Sequence, residues 1–373
     1  MRLSEIKDPF LSLVCLGIGH SRDVLPEQMN WGAIENLAIQ QGLSAIVLDG
    51  IEKLPDDCRP PQLLLLQWIG EVLSCYENHY VEYEKAIGQL AYFYNNHGFK
   101  MMVLKGYACS LDWPNPKHRP CGDIDIWLFG KQKEADAALA ASSKFQDSST
   151  CKATKSSASF KIDSSHHHHT VFEWQGFTVE NHYDFVNVHA RKSSAELERI
   201  FKRLGMDYSH DVEVKGEKVY LPSPNLHALF LIRHMVSHFA AAEITLRQVL
   251  DWAFFVEKHA KEVDWKWLEE MLVKFHMKEF VSCINAICVE DLGFPIGIFP
   301  EVRFVPELKE RVLKDILDPE YTAASLRGFL PRLIYKYKRW QGNAWKQKMC
   351  YGESRWSAFW SSIWAKILKP ASI

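Results

Sequence analysis

Arg119-Pro-Cys-Gly-Asp-Ile-Asp-Ile-Trp127, preceded by Val103-Leu-Lys-Gly106, is the stretch on which the reading of this chain turns. Ile124, Ile126, Trp127 and Leu128 make the segment apolar enough for an internal strand. A strand rises about 3.3 Å per residue and sends alternate side chains to one face, so Asp123 and Asp125 point the same way, about 6 to 7 Å apart along the backbone. Two carboxylates that close repel unless a cation neutralises them, and hard oxygen donors favour magnesium or manganese. The plainer alternative is an aspartate pair on a solvated strand edge.

Upstream, the pattern from Asn30 to Asn96 is helical. Ile34, Leu37 and Ala38, then Leu63, Leu64, Leu65, Trp68, Ile69, Val72 and Leu73, recur at spacings of three and four. Pro60-Pro61 opens the second of these helices, since proline is tolerated in a first turn. A further helix over Glu77 to Asn96 carries Tyr80, Tyr83, Ile87, Leu90, Ala91 and Phe93 and stops at Gly98. Period-two patterning then predicts strands over Lys100 to Leu104 and Asp123 to Leu128, joined by the turn-rich loop Asp112 to Pro120.

Lys131 to Ala141 reads as a helix. Ser142 to Ser165, with nine serines, reads as a loop or an elaborated hairpin rather than core. Thr170 to Trp174 and Phe177 to Phe185 are separated by Gln175-Gly176, a hairpin signal. From Pro224 onward only helices are expected, over Asn225 to Phe239, Thr245 to His259, Trp265 to Phe275 and Lys278 to Val289. The order predicts an α+β fold: an N-terminal helical region over 1–76, a small mixed sheet over 77–222 with the serine-rich insertion near 142–165, and an all-helical region over 223–373.

At 373 residues, with 47% hydrophobic and 24% charged, the chain is long enough for two or three domains with substantial cores. The formal charge of −2 supplies no global pull toward nucleic acid or anionic membrane. Nine cysteines without a Cys-x-x-Cys pair fit a reducing cytoplasm. Phe10 to Ile18 is too short to span a bilayer, and its flanks do not read as a signal peptide.

His166-His-His-His169 offers imidazoles, common ligands of zinc or nickel, in an internal run ahead of an apolar strand. On a regular strand consecutive histidines alternate, so only His166 with His168, or His167 with His169, would share an ion. The run is read as structural or substrate-facing rather than as a zinc centre. His234 and His238 share a helical face but lack the glutamate of a His-Glu-x-x-His protease site. Arg247 and Asp251, also four apart, suggest an ion pair.

Between Arg327 and Met349 there are seven Lys or Arg and no acid, interleaved with Tyr335, Tyr337, Trp340 and Trp345. Such a stretch fits RNA contacts, or equally a helix whose cations are solvated while its rings pack inward. Trp356, Trp360 and Trp364 recur every four residues as an amphipathic stripe, read as core packing rather than a membrane contact.

Leu104-Lys-Gly106, Arg119-Pro, Gly122-Asp-Ile-Asp125, Val179-Glu-Asn-His182 and Leu246-Arg-Gln-Val-Leu-Asp-Trp252 stand in an order that resembles the uncharacterised nucleotidyltransferase family of bacteria, a branch of the DNA polymerase β-like superfamily. The resemblance runs over roughly residues 75 to 350. It implies transfer of a nucleoside monophosphate from a nucleoside triphosphate to an acceptor, with Mg²⁺ or Mn²⁺ as cofactor. Asp123 and Asp125 then hold two metals, and Glu180, on a neighbouring strand with His182 on the same face, completes the site. Glu173 and Asp184 are substitutes if the register differs.

The resemblance further implies nucleotide contacts at Lys105, Gly106, Arg119, Gly122 and His182. Gly106 is followed by Tyr107-Ala108 where many superfamily members carry Gly-Ser or Gly-Gly. That departure keeps a second expectation open, a nucleotidyltransferase-like binding module that does not catalyse. A zinc hydrolase built on the histidine run is a third. The acceptor, whether protein, RNA or small molecule, and the oligomeric state are not encoded in any feature of the sequence.

Overall fold

The computed structural model of the protein describes residues 3–21, 29–146, 161–189, 191, 193–300, 304–321 and 329–352. In chain order the elements begin with α1 (Leu3–Gly17), α2 (Trp31–Gln41), α3 (Ser44–Glu52), α4 (Gln62–Glu71) and α5 (His79–Asn96). The central part holds β1 (Met102–Val103), α6 (Tyr107–Ser110), β2 (Ile124–Trp127), α7 (Gln132–Gln146), β3 (His169–Trp174), β4 (Phe177–His182), α8 (Ser194–Gly205), β5 (Asp211–Val214) and β6 (Glu217–Tyr220). It is followed by α9 (Pro224–Ala241), α10 (Leu246–His259), α11 (Trp265–Lys274), α12 (Lys278–Ala286), α13 (Pro306–Leu317), α14 (Phe329–Gly342) and α15 (Ala344–Tyr351). Among these described residues no helix is long and apolar enough to cross a membrane.

The chain forms two compact units. Among the described residues, the sheet unit comprises His79–Leu111 and Cys121–His227, and the helical unit comprises those up to Asn78, Asp112–Pro120 and those from Ala228.

The sheet has six strands in the order β3-β4-β2-β1-β6-β5. It is mixed: β2 runs parallel to β4 and β1 parallel to β6, while β3/β4, β1/β2 and β5/β6 are antiparallel. Its apolar face is set by alternation. Ile124 and Ile126 of β2, Val179 of β4 and Phe172 of β3 join Tyr83, Ile87, Leu90 and Tyr94 of α5 and Ala135 and Leu139 of α7 in one core. The opposite side chains of β2 and β4, Asp125, Glu180 and His182, are thereby turned to the other face.

Both hairpin turns use two residues at positive φ, Gln175 (51°) with Gly176 (85°) and Lys215 (52°) with Gly216 (86°). That matches the tight turn whose twist suits flanking strands. The first was expected from sequence. The second, with β5 and β6, was not, and neither was α8.

A buried polar cluster fastens α7 to the sheet. Asn181 Nδ2 donates to Asp136 at 2.7 Å, Thr170 Oγ1 donates to the other Asp136 oxygen at 2.8 Å, and Gln132 donates to that same oxygen. The helix runs on to Gln146, beyond the Ala141 end expected from sequence, and 147–160 of the serine-rich segment lie outside the described residues.

In the helical unit the Gln248 side chain reaches back to accept from the Thr245 amide at 2.9 Å and closes the start of α10. The loop Asp112–Pro120 is tied down: His118 bridges Asp49 (2.7 Å) and Glu77 (3.3 Å). The basic stretch forms α14 and α15, and part of it is core. Lys346, 1% exposed, pairs with Asp315 at 2.5 Å, and the Trp345 ring meets Phe239 edge-on under the Arg311 guanidinium. Trp356, Trp360 and Trp364 lie outside the described residues.

Candidate active site

Strand pairing sets the site. In the parallel β2/β4 register Asp125 stands opposite Glu180 and Trp127 opposite His182, and in the antiparallel β3/β4 register His169 stands opposite His182. Alternation then gathers Asp125, Glu180, His182 and His169 on one face. Asp123 precedes the first strand residue and is exposed, whereas Asp125 is buried. The chain entering β2 is held from below by α5, where His79 Nε2 bonds the Cys121 carbonyl at 2.9 Å and the Tyr83 hydroxyl donates to the Asp123 carbonyl at 2.9 Å.

Two positive or polarisable groups face Asp125, and a third faces Glu180. The Lys105 ammonium lies 2.6 Å from Asp125 Oδ1, and His182 Nε2 lies 3.0 Å from the same oxygen and 3.5 Å from Glu180 Oε2. His169 Nε2 is 3.7 Å from Glu180 Oε1. Burial opposes the Asp125 charge, but the Lys105 ammonium and the His182 hydrogen bond overcome it and hold the carboxyl far below the usual range. Lys105 is raised against its own burial by Asp125 and Glu180, and His182 against its burial by the same two carboxylates. Asp123 is raised, first by partial burial and then by the Glu180 and Asp125 charges. Its carboxylate therefore shares their field.

The histidine run departs from the alternation expected for it. His168 sits in a bend ahead of β3, so it and His169 reach the same side, and both converge with His182. Burial, reinforced by the neighbouring His182, holds His168 down at about 2; burial also outweighs the pull of Glu180 and holds His169 at about 4. Both imidazoles are neutral at ordinary pH.

Of the residues singled out for nucleotide contacts, Lys105 and His182 are in the cluster. Gly106 has φ +53°, and a Cβ there would overlap the Tyr83 hydroxyl, so its glycine is explained by close packing as well as by any ligand. Gly122 is exposed with open space around it. Arg119 belongs to the helical unit, where its guanidinium grips Asp251 with two bonds of 2.7 and 2.9 Å while Trp113 Nε1 donates to the same carboxylate at 2.9 Å. The Arg247–Asp251 pair expected from sequence is replaced by this planar two-point match, and Arg247 donates instead to the Pro120 carbonyl at 3.1 Å. The three features that sequence reading missed are the convergence of His168, His169 and His182, the Tyr83 support under Asp123, and the Arg119–Asp251 pair. A tyrosine on the inner face of α5 was the visible signal for the second.

Among the described residues two groups of ligand atoms lie close enough to hold a cation, Asp125 with Glu180 and His182, and His168 with His169 and His182. Carboxylate oxygens facing each other across adjacent strands, with an exposed aspartate beside them, suit a divalent metal. His234 and His238, with ring centroids 4.3 Å apart, belong to neither group.

No curated protein and no solved structure matches the chain. A family described as uncharacterised nucleotidyltransferase matches residues 27–293, which takes in the whole cluster and ends before the basic, aromatic stretch. With the carboxylates in register on parallel strands and that match over more than half its length, the chain belongs to the uncharacterised nucleotidyltransferase family.

Proposed function

We propose that the protein moves a nucleoside monophosphate from a nucleoside triphosphate to a hydroxyl acceptor, with Asp123, Asp125 and Glu180 holding Mg²⁺ or Mn²⁺. The observation that carries this is the register of Asp125 against Glu180 on parallel strands, with Asp123 two residues upstream in the same electrostatic field. When bound, the divalent ions supply neutralisation of the pyrophosphate charge and a lowered pKa at the acceptor oxygen.

The chain's own residues do the rest. Asp125 is kept ionised by Lys105 and His182, so it is ready to accept a cation without first losing a proton. Lys105, beside Asp125, would supply a point charge for a phosphate oxygen. Exposure of Asp123 leaves one carboxylate open to solvent and to an incoming nucleotide. Tyr83 fixes the backbone on which Asp123 stands, and positional precision of this kind counts heavily in phosphoryl chemistry.

The test is incubation with each α-labelled nucleoside triphosphate and Mg²⁺ or Mn²⁺, following label into the protein, total RNA and small metabolites. Label transfer that disappears in Asp123→Asn is expected; absence of transfer with every nucleotide and acceptor pool would reject catalysis.

A binding module is the second reading. It is favoured by the residues after Gly106, since Tyr107 is buried with its hydroxyl on Glu84 (3.3 Å) and no serine is present there for a phosphate. Stoichiometric nucleotide binding without pyrophosphate release would select it.

A further inference from the structure

His169 is 6% exposed, yet neither of its ring nitrogens makes a hydrogen bond to any described residue, and the buried Nδ1 of His168 makes none either. A buried imidazole without a hydrogen bond costs free energy of desolvation that no hydrogen bond from a described residue repays. His182, 2% exposed, meets them from the neighbouring strand, and the ligand atoms of all three lie within 4.8 Å of one another. The ring centroids of His168 and His169 are 4.4 Å apart, those of His169 and His182 5.1 Å, and those of His168 and His182 5.5 Å.

We propose that His168, His169 and His182 form a site for a borderline transition-metal ion, Zn²⁺ foremost, with Glu180 as the adjoining carboxylate. Three imidazole nitrogens and one carboxylate oxygen, with His182 releasing its Nε2 proton as the ion binds, are the donor set of such ions and a poor one for Mg²⁺, which prefers oxygen throughout. Glu180 is placed to join, 3.7 Å from His169 Nε2 and 3.5 Å from His182 Nε2. The far side of His182 is prepared as well. Its Nδ1 faces the Asp184 carbonyl at 3.3 Å, so an N–H stays there when Nε2, which otherwise donates to Asp125, gives up its proton to take the ion.

The bend at His168 is what makes the site. A regular strand would have sent His168 and His169 to opposite faces; ahead of β3 the chain turns, and Tyr183 and Asp184 both donate to the His168 carbonyl (3.0 and 3.1 Å), which pins the turn to the end of β4. The site shares Glu180 with the proposed Asp123/Asp125 position, differs from it in its three imidazole donors, and does not require nucleotidyl transfer.

The experiment uses full-length protein stripped with a chelator. Zn²⁺ is titrated against a chromophoric competitor, and Co²⁺ is added as a spectroscopic probe. One equivalent of Zn²⁺ and the intense visible bands of four-coordinate Co²⁺ are expected, the latter reading the site without any substitution. His168→Ala and His169→Ala, checked for retained fold by thermal unfolding, should each weaken Zn²⁺ by more than the roughly 10- to 100-fold that losing a supporting contact costs. The double variant H166A/H167A should leave it unchanged, which separates a built site from the general metal affinity of a histidine run. Weak six-coordinate Co²⁺ absorption, no stoichiometric Zn²⁺, unchanged affinity in H168A and H169A, or loss in H166A/H167A would each overturn the proposal.

Discussion

The Lys105 ammonium and the Asp125 carboxylate stand 2.6 Å apart, both largely withdrawn from water, at the centre of the candidate site. A lysine there acts as an internal counter-ion that holds the carboxylate ionised, the place a metal would take in the proposed reaction. Replacing Lys105 by Met strands a buried charge, a loss of about 3 to 5 kcal/mol for a pair broken on one side. Adding Mn²⁺ should restore much of that stability in the variant and less in the parent. Denaturant unfolding with and without Mn²⁺ checks this, and a variant indifferent to Mn²⁺ would contradict the metal assignment.

Asp123 and Asp125 are expected to separate in their effects. Asp123→Asn, at an exposed position, should leave the melting temperature near that of the parent while lowering transfer by at least about 100-fold. Asp125→Asn removes the partner of two buried cations and should cost stability as well as turnover. Paired melting and label-transfer measurements distinguish the two.

Arg119→Met tests whether that arginine binds nucleotide. Its bidentate grip on Asp251 predicts a stability loss of about 3 to 5 kcal/mol with the nucleotide KM of the folded fraction unchanged. A raised KM at full stability would instead place it in the nucleotide site.

Gly106 and Tyr83 are coupled by contact. Gly106→Ala places a Cβ on the Tyr83 hydroxyl at a backbone angle that alanine disfavours, and should destabilise by about 1 to 3 kcal/mol. Tyr83→Phe loses one hydrogen bond, about 1 kcal/mol. The double variant should lose less than the sum, because the oxygen that collides with the new methyl is gone. Strict additivity in a double-mutant cycle would contradict the packing described.

Glu198 provides a pH prediction. One of its oxygens accepts from the Phe185 and Val186 amides at 2.9 and 3.0 Å, and burial pushes its carboxyl up to about 7, with Asp184 adding to the rise and the amides and Lys202 opposing it. A group whose folded pKa is raised contributes stability that is full below the ordinary glutamate pKa and is lost as pH rises through about 7. That loss is on the order of 3 kcal/mol. Glu198→Gln should flatten the unfolding free energy over this window, and an unchanged slope would rule the assignment out.

How far the sequence carried this reading depends on the range over which each contact acts. Glu180 and His182 share a face because one short strand alternates, a property visible in a few residues, whereas Asp125 joins them only through the β2/β4 pairing. Convergence of His168 with His169 needs a bend that composition does not announce. β5 and β6 escaped notice because Asp211, Glu213, Glu217 and Lys218 make the hairpin read as a polar loop, although Lys215-Gly216 carries its turn. α8 shows in the sequence as Leu197 and Phe201 four residues apart amid polar neighbours. The Arg119–Asp251 pair joins residues 132 positions apart, beyond any periodicity.

Asn181 spends its amide on Asp136 while its chain neighbours Glu180 and His182 look the other way. The strand is thus clamped from the rear at the residue between two candidate ligands, so that its chemistry cannot drift without α7 drifting too. Enzymologists choosing where to perturb this protein from a distance have a handle there: a change to Asn181 or Asp136, on the face away from Glu180 and His182, should blur the placement of both ligands at once.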